Sequence, residues 1–119
     1  MTKNLELAAS RGHTKTVKLL LDNGGNVHAG DDFSLRMASK NGHTEIVKLL
    51  LDKDDFVQTS KDYALIWAAK NGHTDTVKML LDKGANVHAE DDSALKWSAT
   101  HGHTETVQVL LVNSEMKIS

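Results

Sequence analysis

Apolar side chains recur along the chain with a fixed period of 30 residues. The tripeptide Gly-His-Thr follows the same period, since it begins at Gly12, Gly42, Gly72 and Gly102. Aligned apolar positions include Leu5, Leu35, Leu65 and Leu95, and also Val17, Val47, Val77 and Val107. Such self-similarity is typical of a solenoid, in which each repeat buries its apolar faces against its neighbours. We therefore predict a single domain over residues 1–119, made of the repeats 1–30, 31–60, 61–90 and 91–119.

The first half of each repeat has the spacing of a short helix, which we name helix A. In the third repeat, Leu65, Ala68 and Ala69 have the spacing that places side chains on one helical face. Position two of the repeats is occupied by Thr2, Asp32, Asp62 and Asp92. We expect these side chains to cap the free amides of the first turn. The glycine of Gly-His-Thr should end helix A, because glycine adopts the left-handed conformation without steric cost.

A second helix, named helix B, is predicted from about position 14 of each repeat. In the first repeat, Val17, Leu20 and Leu21 form its apolar face. Gly24 and Gly84 should end helix B in the first and third repeats. The second repeat has the aspartate Asp54 at this point, and aspartate tolerates the left-handed conformation less readily than glycine. We therefore expect a softer stack between the second and third repeats.

Residues 68–89, which read AAKNGHTDTVKMLLDKGANVHA, resemble the ankyrin repeat, and the resemblance recurs across nearly the whole chain. The family's usual period is about 33 residues, and its Thr-Pro-Leu-His tetrapeptide is represented here by Tyr63-Ala64-Leu65-Ile66 or Ser93-Ala94-Leu95-Lys96. The missing residues fall in the β-hairpin between repeats. The resemblance thus implies an all-α, ankyrin-type α-solenoid of four stacked helix-turn-helix repeats with short or vestigial β-hairpin turns.

The resemblance also implies a function, because ankyrin arrays hold partner proteins on a concave surface of turn tips and the exposed side of helix A. Carried over by position, this implies partner contacts near the end of helix A from Arg11, Lys40, Asn41, Lys70, Asn71 and His101. The alternative is a purely structural segment of a longer solenoid, or an engineered consensus-like scaffold, without a partner of its own.

Residues that break the repeat pattern are further candidates for partner contact. Phe33 and Tyr63 occupy neighbouring turn tips, where large amphipathic rings can anchor a partner, although local packing across the shortened turn explains them equally well. Position six supplies Arg36, Ile66 and Lys96 as further contacts. Position seven carries Trp67 and Trp97, which could form a stacked platform. We expect them instead to flank the core, since large apolar residues at helical spacing usually fill interiors.

Composition narrows the classes of function. The chain has no cysteine, which excludes disulfides, thiolate nucleophiles and cysteine-based zinc sites. A net charge of −2 gives no broad field for nucleic acid, and no apolar run approaches the roughly 20 residues that span a bilayer. We expect an intracellular protein, in the cytoplasm or a host-cell cytoplasm. Its partner should be another protein, and the chain should be a monomer unless truncation of the array exposes a face that self-associates.

Histidine chemistry and catalysis are disfavoured by the same period. His13, His43, His73 and His103 recur once per repeat and should lie roughly 10 Å apart in successive layers, so they cannot converge on one ion. We expect each ring to form a hydrogen bond with the turn between helices. His101 beside His103 gives two ligands, too few for a structural zinc site. Ser, His and Asp recur in every block, whereas an active site needs one singular constellation, so we expect no catalytic residue, metal or cofactor.

Overall fold

The computed structural model describes residues 3–118, which form eight helices and no strand. The helices are α1 (Lys3–Ser10), α2 (Thr14–Asp22), α3 (Ala29–Lys40), α4 (Thr44–Lys53), α5 (Gln58–Lys70), α6 (Thr74–Asp82), α7 (Ala89–Thr100) and α8 (Thr104–Ile118). The odd-numbered helices are the predicted helices A, and the even-numbered helices are the predicted helices B. The all-α solenoid is therefore confirmed, and within the described range the hairpin between repeats is reduced to a turn.

The helices form two layers with the core between them. The helices α1, α3, α5 and α7 pack side by side in chain order, and α2, α4, α6 and α8 form the second layer. The stack is elongated, with extents of 42 × 26 × 19 Å. Leu35 and Leu65 from the first layer and Val47 and Val77 from the second are fully buried. The positions that share the period of 30 residues are thus the positions that build a continuous core.

Successive repeats are joined where the glycine of one meets the histidine of the next. Each glycine that ends helix A is left-handed, as predicted, and in the first three repeats the histidine ring of the next repeat lies against it. The pairs are Gly12 with His43, Gly42 with His73, and Gly72 with His103. Nε2 of His43 donates to the Ser10 carbonyl at 3.1 Å, and Nε2 of His103 donates to the Lys70 carbonyl at 3.0 Å. The predicted bond to a turn is confirmed for these two histidines, and the turn belongs to the preceding repeat.

Helix A begins earlier than the sequence predicts. The helix α5 starts at Gln58, whereas the prediction placed the cap of this helix at Asp62. The carboxylate of Asp62 caps no first turn: it accepts hydrogen bonds from Nε2 of Gln58 at 2.8 Å and from the backbone amide of Asn86 at 2.7 Å. Its second bond ties the third repeat to the turn that leads into the fourth. The capping prediction is therefore wrong for Asp62.

The turns into α3 and α7 contain a short left-handed segment that the sequence did not predict. Residues 30–32 and residues 90–92 have φ between 52° and 64°. Asp32 lies in the first of these segments and accepts hydrogen bonds from Nδ1 of His28 and Oγ of Ser60, both at 2.6 Å. Asp92 likewise accepts from Nδ1 of His88 at 2.6 Å. The capping prediction is thus wrong for Asp32 and Asp92 as well. Thr2, the fourth predicted cap, lies outside the described residues.

Candidate functional site

One side of helix A faces away from the core, and its residues follow from helical spacing. In α5, Tyr63, Trp67 and Lys70 are separated by four and three residues, so they lie on one helical side. Leu65, Ala68 and Ala69 lie on the other side and are fully buried. The same positions in α3 and α7 carry Phe33, Met37 and Lys40, and Ser93, Trp97 and Thr100. The outward side of the first layer is therefore rich in aromatic and basic groups in the middle of the array.

Both tryptophans lie on this outward side. Trp67 is 38% exposed and Trp97 is 41% exposed, so the prediction that they flank the core is wrong. The reason is their angle on the helix: Trp67 follows Leu65 by two residues, or roughly 200° around an α-helix. Tyr63, one turn earlier, is 42% exposed. Three large rings are thus available at the surface of two adjacent helices.

Lysines alternate with the tryptophans. Nζ of Lys40 lies 5.3 Å from the centre of the Trp67 ring. Nζ of Lys70 lies 4.9 Å from the centre of the Trp67 ring and 4.2 Å from that of Trp97, so one ammonium group bridges both rings. Trp97 also stacks on His101, with centroids 5.7 Å apart and planes 9° apart. We name Lys40, Trp67, Lys70, Trp97 and His101 the tryptophan strip.

The contacts in the strip restrict its side chains. Exposed cation–π contacts contribute about 0.5–1 kcal/mol each, enough to favour one arrangement of a flexible lysine. Neither Lys40 nor Lys70 has a carboxylate partner in the described part of the chain. Lys40 is exposed and Lys70 is half-buried. The strip therefore holds two ordered ammonium groups whose remaining hydrogen-bond donors are free to meet a ligand.

Two depressions adjoin the strip and share Tyr63 and Trp67. The first, of about 300 Å³, is walled by Tyr63, Trp67 and Trp97, together with Lys70 and Glu90. The second, of about 510 Å³, lies towards the preceding repeat, and its wall includes Arg36 as well as Tyr63 and Trp67. Tyr63 and Trp67 thus form a ridge between two hollows, a relief that can receive side chains on either side.

The two predicted anchors at the turn tips differ in environment. The ring of Phe33 is half-buried, and the Arg36 guanidinium lies 5.7 Å from its centre. Arg36 also donates to the backbone carbonyls of Gly30 and Asp31, both at 3.2 Å. The side chains of Phe33 and Arg36 therefore pack against each other and against the left-handed turn. Tyr63 follows a turn without positive φ and remains exposed. Of the two rings, Tyr63 is the one presented to solvent.

The remaining predicted contacts divide between the strip and its margins. Ile66 is half-buried against the core, and Lys96 is paired with Asp91 at 3.1 Å. Asn41 donates its side-chain amide to the Ser10 carbonyl at 3.0 Å, and Asn71 donates to the Trp67 carbonyl at 2.9 Å. Arg11 is exposed at the end of the first helix A, outside the strip. The structure therefore brings together Lys40, Lys70 and His101 with the two tryptophans, and it separates Arg11 from them.

A second apolar surface lies on the opposite side of the stack, in the layer formed by α2, α4, α6 and α8. Leu81 of α6 and Val109 and Val112 of α8 line a groove of about 320 Å³. Val112 is 57% exposed. A signal was present in the sequence, because Val109 repeats an apolar position of helix B and Val112, three residues later, stands where the other repeats have aspartate.

Other classes of site are not indicated in the described residues. Within residues 3–118, no group of three or more His, Asp or Glu side chains is placed to hold a metal ion. The rings of His101 and His103 approach each other to 6.0 Å between centroids. The described helices include none with the length and apolar content to cross a membrane.

Comparison with known proteins assigns the fold to a family. A family model described as ankyrin repeats, in three copies, matches residues 4–62 and 35–119. Ankyrin repeats are in general non-enzymatic modules of protein–protein interaction. No curated protein in the comparison matches the chain.

Proposed function

Since the chain belongs to the ankyrin-repeat family, we propose that it is a binding scaffold that holds a partner protein on the outward side of helix A and the adjoining turns. The observation that carries this proposal is the exposure of Trp67 and Trp97 beside Tyr63. Large rings at the surface lose little conformational entropy on binding and are the residues that dominate protein interfaces. The two hollows beside the Tyr63–Trp67 ridge could receive side chains of the partner.

We propose that the partner is a protein and that the function is binding rather than catalysis. No residue is assigned a catalytic role, because the side chains of Asn41 and Asn71 bond to backbone carbonyls and Lys70 contacts the Trp97 ring, so these groups form no pair of nucleophile and base. A net charge of −2 argues against nucleic acid as the main partner. We further propose that residues 1–119 act as one unit and as a monomer. An intracellular setting, in the cytoplasm or a host-cell cytoplasm, suits a chain without cysteine.

The test compares proteins captured from the cell of origin by the immobilised wild type and by two variants. The first variant carries Trp67→Ser and Trp97→Ser in the strip. The second carries Leu19→Ser and Val112→Ser, which remove exposed apolar side chains from the other layer (Leu19 is 63% exposed and Val112 is 57% exposed). Unchanged circular dichroism establishes that both variants are folded.

We expect the wild type and the Leu19/Val112 variant to retain the same protein, and the tryptophan variant to lose it. Retention of the protein by the tryptophan variant would overturn the proposal. Loss of the protein only from the Leu19/Val112 variant would also overturn it and would place the interface on the other layer. Failure of the wild type to retain any protein would count against a binding role altogether.

A further inference from the structure

The chemistry of the strip indicates which kind of segment it binds. Four other lysines of the described chain contact carboxylates; among them, Lys48 and Lys83 both contact Asp52, at 2.6 Å and 2.5 Å. Lys40 and Lys70 contact tryptophan rings instead. A ring face attracts an ammonium group but does not neutralise it, so both charges remain available to an anion. The strip is thus an apolar surface with two unmatched positive charges.

Among the described residues, carboxylates border the strip only at the turn ends of the helices, where Asp31 and Glu90 line the two hollows beside Trp67. Asp31, Glu90 and Asp91 are exposed in the left-handed turns that begin helix A, whereas Lys40 and Lys70 are the last residues of α3 and α5. The carbonyl of Lys70, which would otherwise add negative potential at the helix end, accepts a hydrogen bond from His103. A bound segment therefore meets positive charge on the strip and negative charge only at the turns.

We propose that the strip binds an acidic segment of the partner protein, in which carboxylates alternate with apolar side chains. The carboxylates meet Lys40 and Lys70, and the apolar side chains lie on Trp67 and Trp97. The order of groups along the strip sets this alternation, because Lys70 lies between the two rings and Lys40 lies on the far side of Trp67. This inference rests on the proposed function and adds the chemical class of the partner.

Two other ligands share part of this chemistry and fit less well. A basic segment would bring like charges against Lys40 and Lys70. A single-stranded nucleic acid could stack bases on the tryptophans. Its continuous row of phosphates would, however, also pass Asp31, Glu90 and Asp91, and the net charge of −2 opposes it. Charge complementarity therefore favours a short acidic stretch of protein over both alternatives.

The experiment uses a random peptide library, selected in parallel on three forms of the full chain. The forms are the wild type, the variant Lys40→Glu with Lys70→Glu, and the control Lys15→Glu with Lys78→Glu. The control makes the same change in net charge on exposed residues of helix B. Binding of selected peptides is followed by tryptophan fluorescence, which reports on the strip alone because the chain has only two tryptophans and both belong to it.

We expect peptides selected on the wild type and on the control to be rich in Asp and Glu between apolar residues, and to change the fluorescence. The Lys40/Lys70 variant should bind these peptides roughly tenfold or more weakly, and its own selection should shift towards Lys and Arg. Added salt should weaken binding to the wild type, since the charges are at the surface.

Three results would overturn the inference. Peptides that change the fluorescence without enrichment in Asp or Glu would remove the acidic preference but leave the outward side of helix A as the interface. Equal affinity of an acidic peptide for the Lys40/Lys70 variant and the control would do the same. Tighter binding of an oligothymidylate than of any selected peptide would point to nucleic acid.

A fourth result would contradict the proposed function itself. This is the selection of peptides that bind without changing the fluorescence and that bind equally well to the variant with Trp67→Ser and Trp97→Ser.

Discussion

The ring of His73 in the third repeat lies directly against the α-carbon of Gly42 in the second. A methyl group on Gly42 would lie 2.5 Å from Nδ1 of His73, closer than two such atoms can approach. Gly42 has a φ of 76°, so its backbone also occupies the left-handed region. Two features therefore require glycine at this position: its left-handed backbone conformation and the close approach of a ring from the next repeat.

Replacing Gly42 with alanine should destabilise the stack by about 2–5 kcal/mol. Left-handed backbone at a residue with a Cβ costs roughly 1–2 kcal/mol, and overpacking against the His73 ring adds on the order of 1–3 kcal/mol. Urea unfolding followed by circular dichroism measures this loss.

Gly102 supplies the matched control for that substitution. Its φ of 73° is nearly that of Gly42, but a Cβ at Gly102 would meet no atom within 4 Å. We expect Gly102→Ala to cost only the backbone term, about 1–2 kcal/mol. The difference should shrink when His73→Ala is combined with Gly42→Ala. Equal losses for Gly42→Ala and Gly102→Ala would mean that the ring contact does not contribute.

The fold could be predicted from the sequence because its determinants are local and repeated. Gly42 and His73 belong to the same Gly-His-Thr motif in different repeats, so one period carries both the end of helix A and the contact between layers. The error at Trp67 and Trp97 had a different origin. Size and apolarity favoured the core, but the angle from Leu65 around the helix placed both rings outside. The helical angle, rather than the residue type, therefore determines which side of the helix these two side chains occupy.

The turns were predictable only in part. In the left-handed segments at residues 30–32 and 90–92, Asp32 and Asp92 contact histidines four residues earlier. The third repeat reaches helix A without such a segment, although it also carries an aspartate at position two. The turn before it contains Asp54 in place of glycine, and the path of the chain changes there. A position within the repeat therefore does not fix the conformation of the turn.

Two buried serines in α3 should weaken the stack, and their removal should stabilise it. The hydroxyl oxygens of Ser34 and Ser39 are buried without a hydrogen-bond partner. The corresponding residues of the third repeat are Ala64 and Ala69, which are fully buried. A buried hydroxyl without a partner costs roughly 1–3 kcal/mol. We expect Ser34→Ala and Ser39→Ala each to raise the free energy of unfolding by about 1 kcal/mol in urea unfolding experiments.

Ser98 in α7 is the control for the buried serines. It is also fully buried, but its hydroxyl donates to the Ala94 carbonyl at 2.8 Å. Ser98→Ala removes a satisfied hydroxyl, so its effect should be smaller than that of either α3 substitution. An equal gain at all three positions would indicate that helix propensity, rather than the missing hydrogen bond, is responsible.

His28 should make part of the stability depend on pH. Its Nδ1 lies 2.6 Å from Asp32 and its Nε2 lies 3.3 Å from Asp54, an arrangement that suits the doubly protonated ring. The hydrogen bond to Asp32 raises the pKa of His28 above its usual 6.5, against a smaller opposing effect of burial, and Asp54 adds to the increase. The folded state therefore binds this proton more tightly than the unfolded state. The resulting stability is present below pH 6.5 and is lost as the pH rises through the higher pKa of the folded state.

The measurement is urea unfolding of the wild type and of His28→Gln between about pH 5.5 and about pH 8.5. The other six histidines are the same in both proteins, so the difference between the two curves isolates His28. We expect the wild type to be more stable at the acidic end and the difference to narrow at the alkaline end. A difference that stays constant with pH, or widens towards the alkaline end, would contradict the assignment of the proton to His28.

The last turn of α4 should open more readily than the last turn of α6. After α6, the amides of Lys83, Gly84 and Ala85 donate back to carbonyls of the final turn, with Ala85 to Leu80 at 2.9 Å. After α4, Asp54 adopts extended backbone with φ of −158°, and the amide of Asp55 bonds instead to the Asp54 side chain at 2.8 Å. The final carbonyls of α4 therefore lack the closing bonds that protect α6. Amide hydrogen exchange should be roughly tenfold faster in the last turn of α4, because one lost closing bond corresponds to about 1.4 kcal/mol or less. Equal protection of the two turns would show that packing between the layers, rather than the helix end, sets the opening free energy.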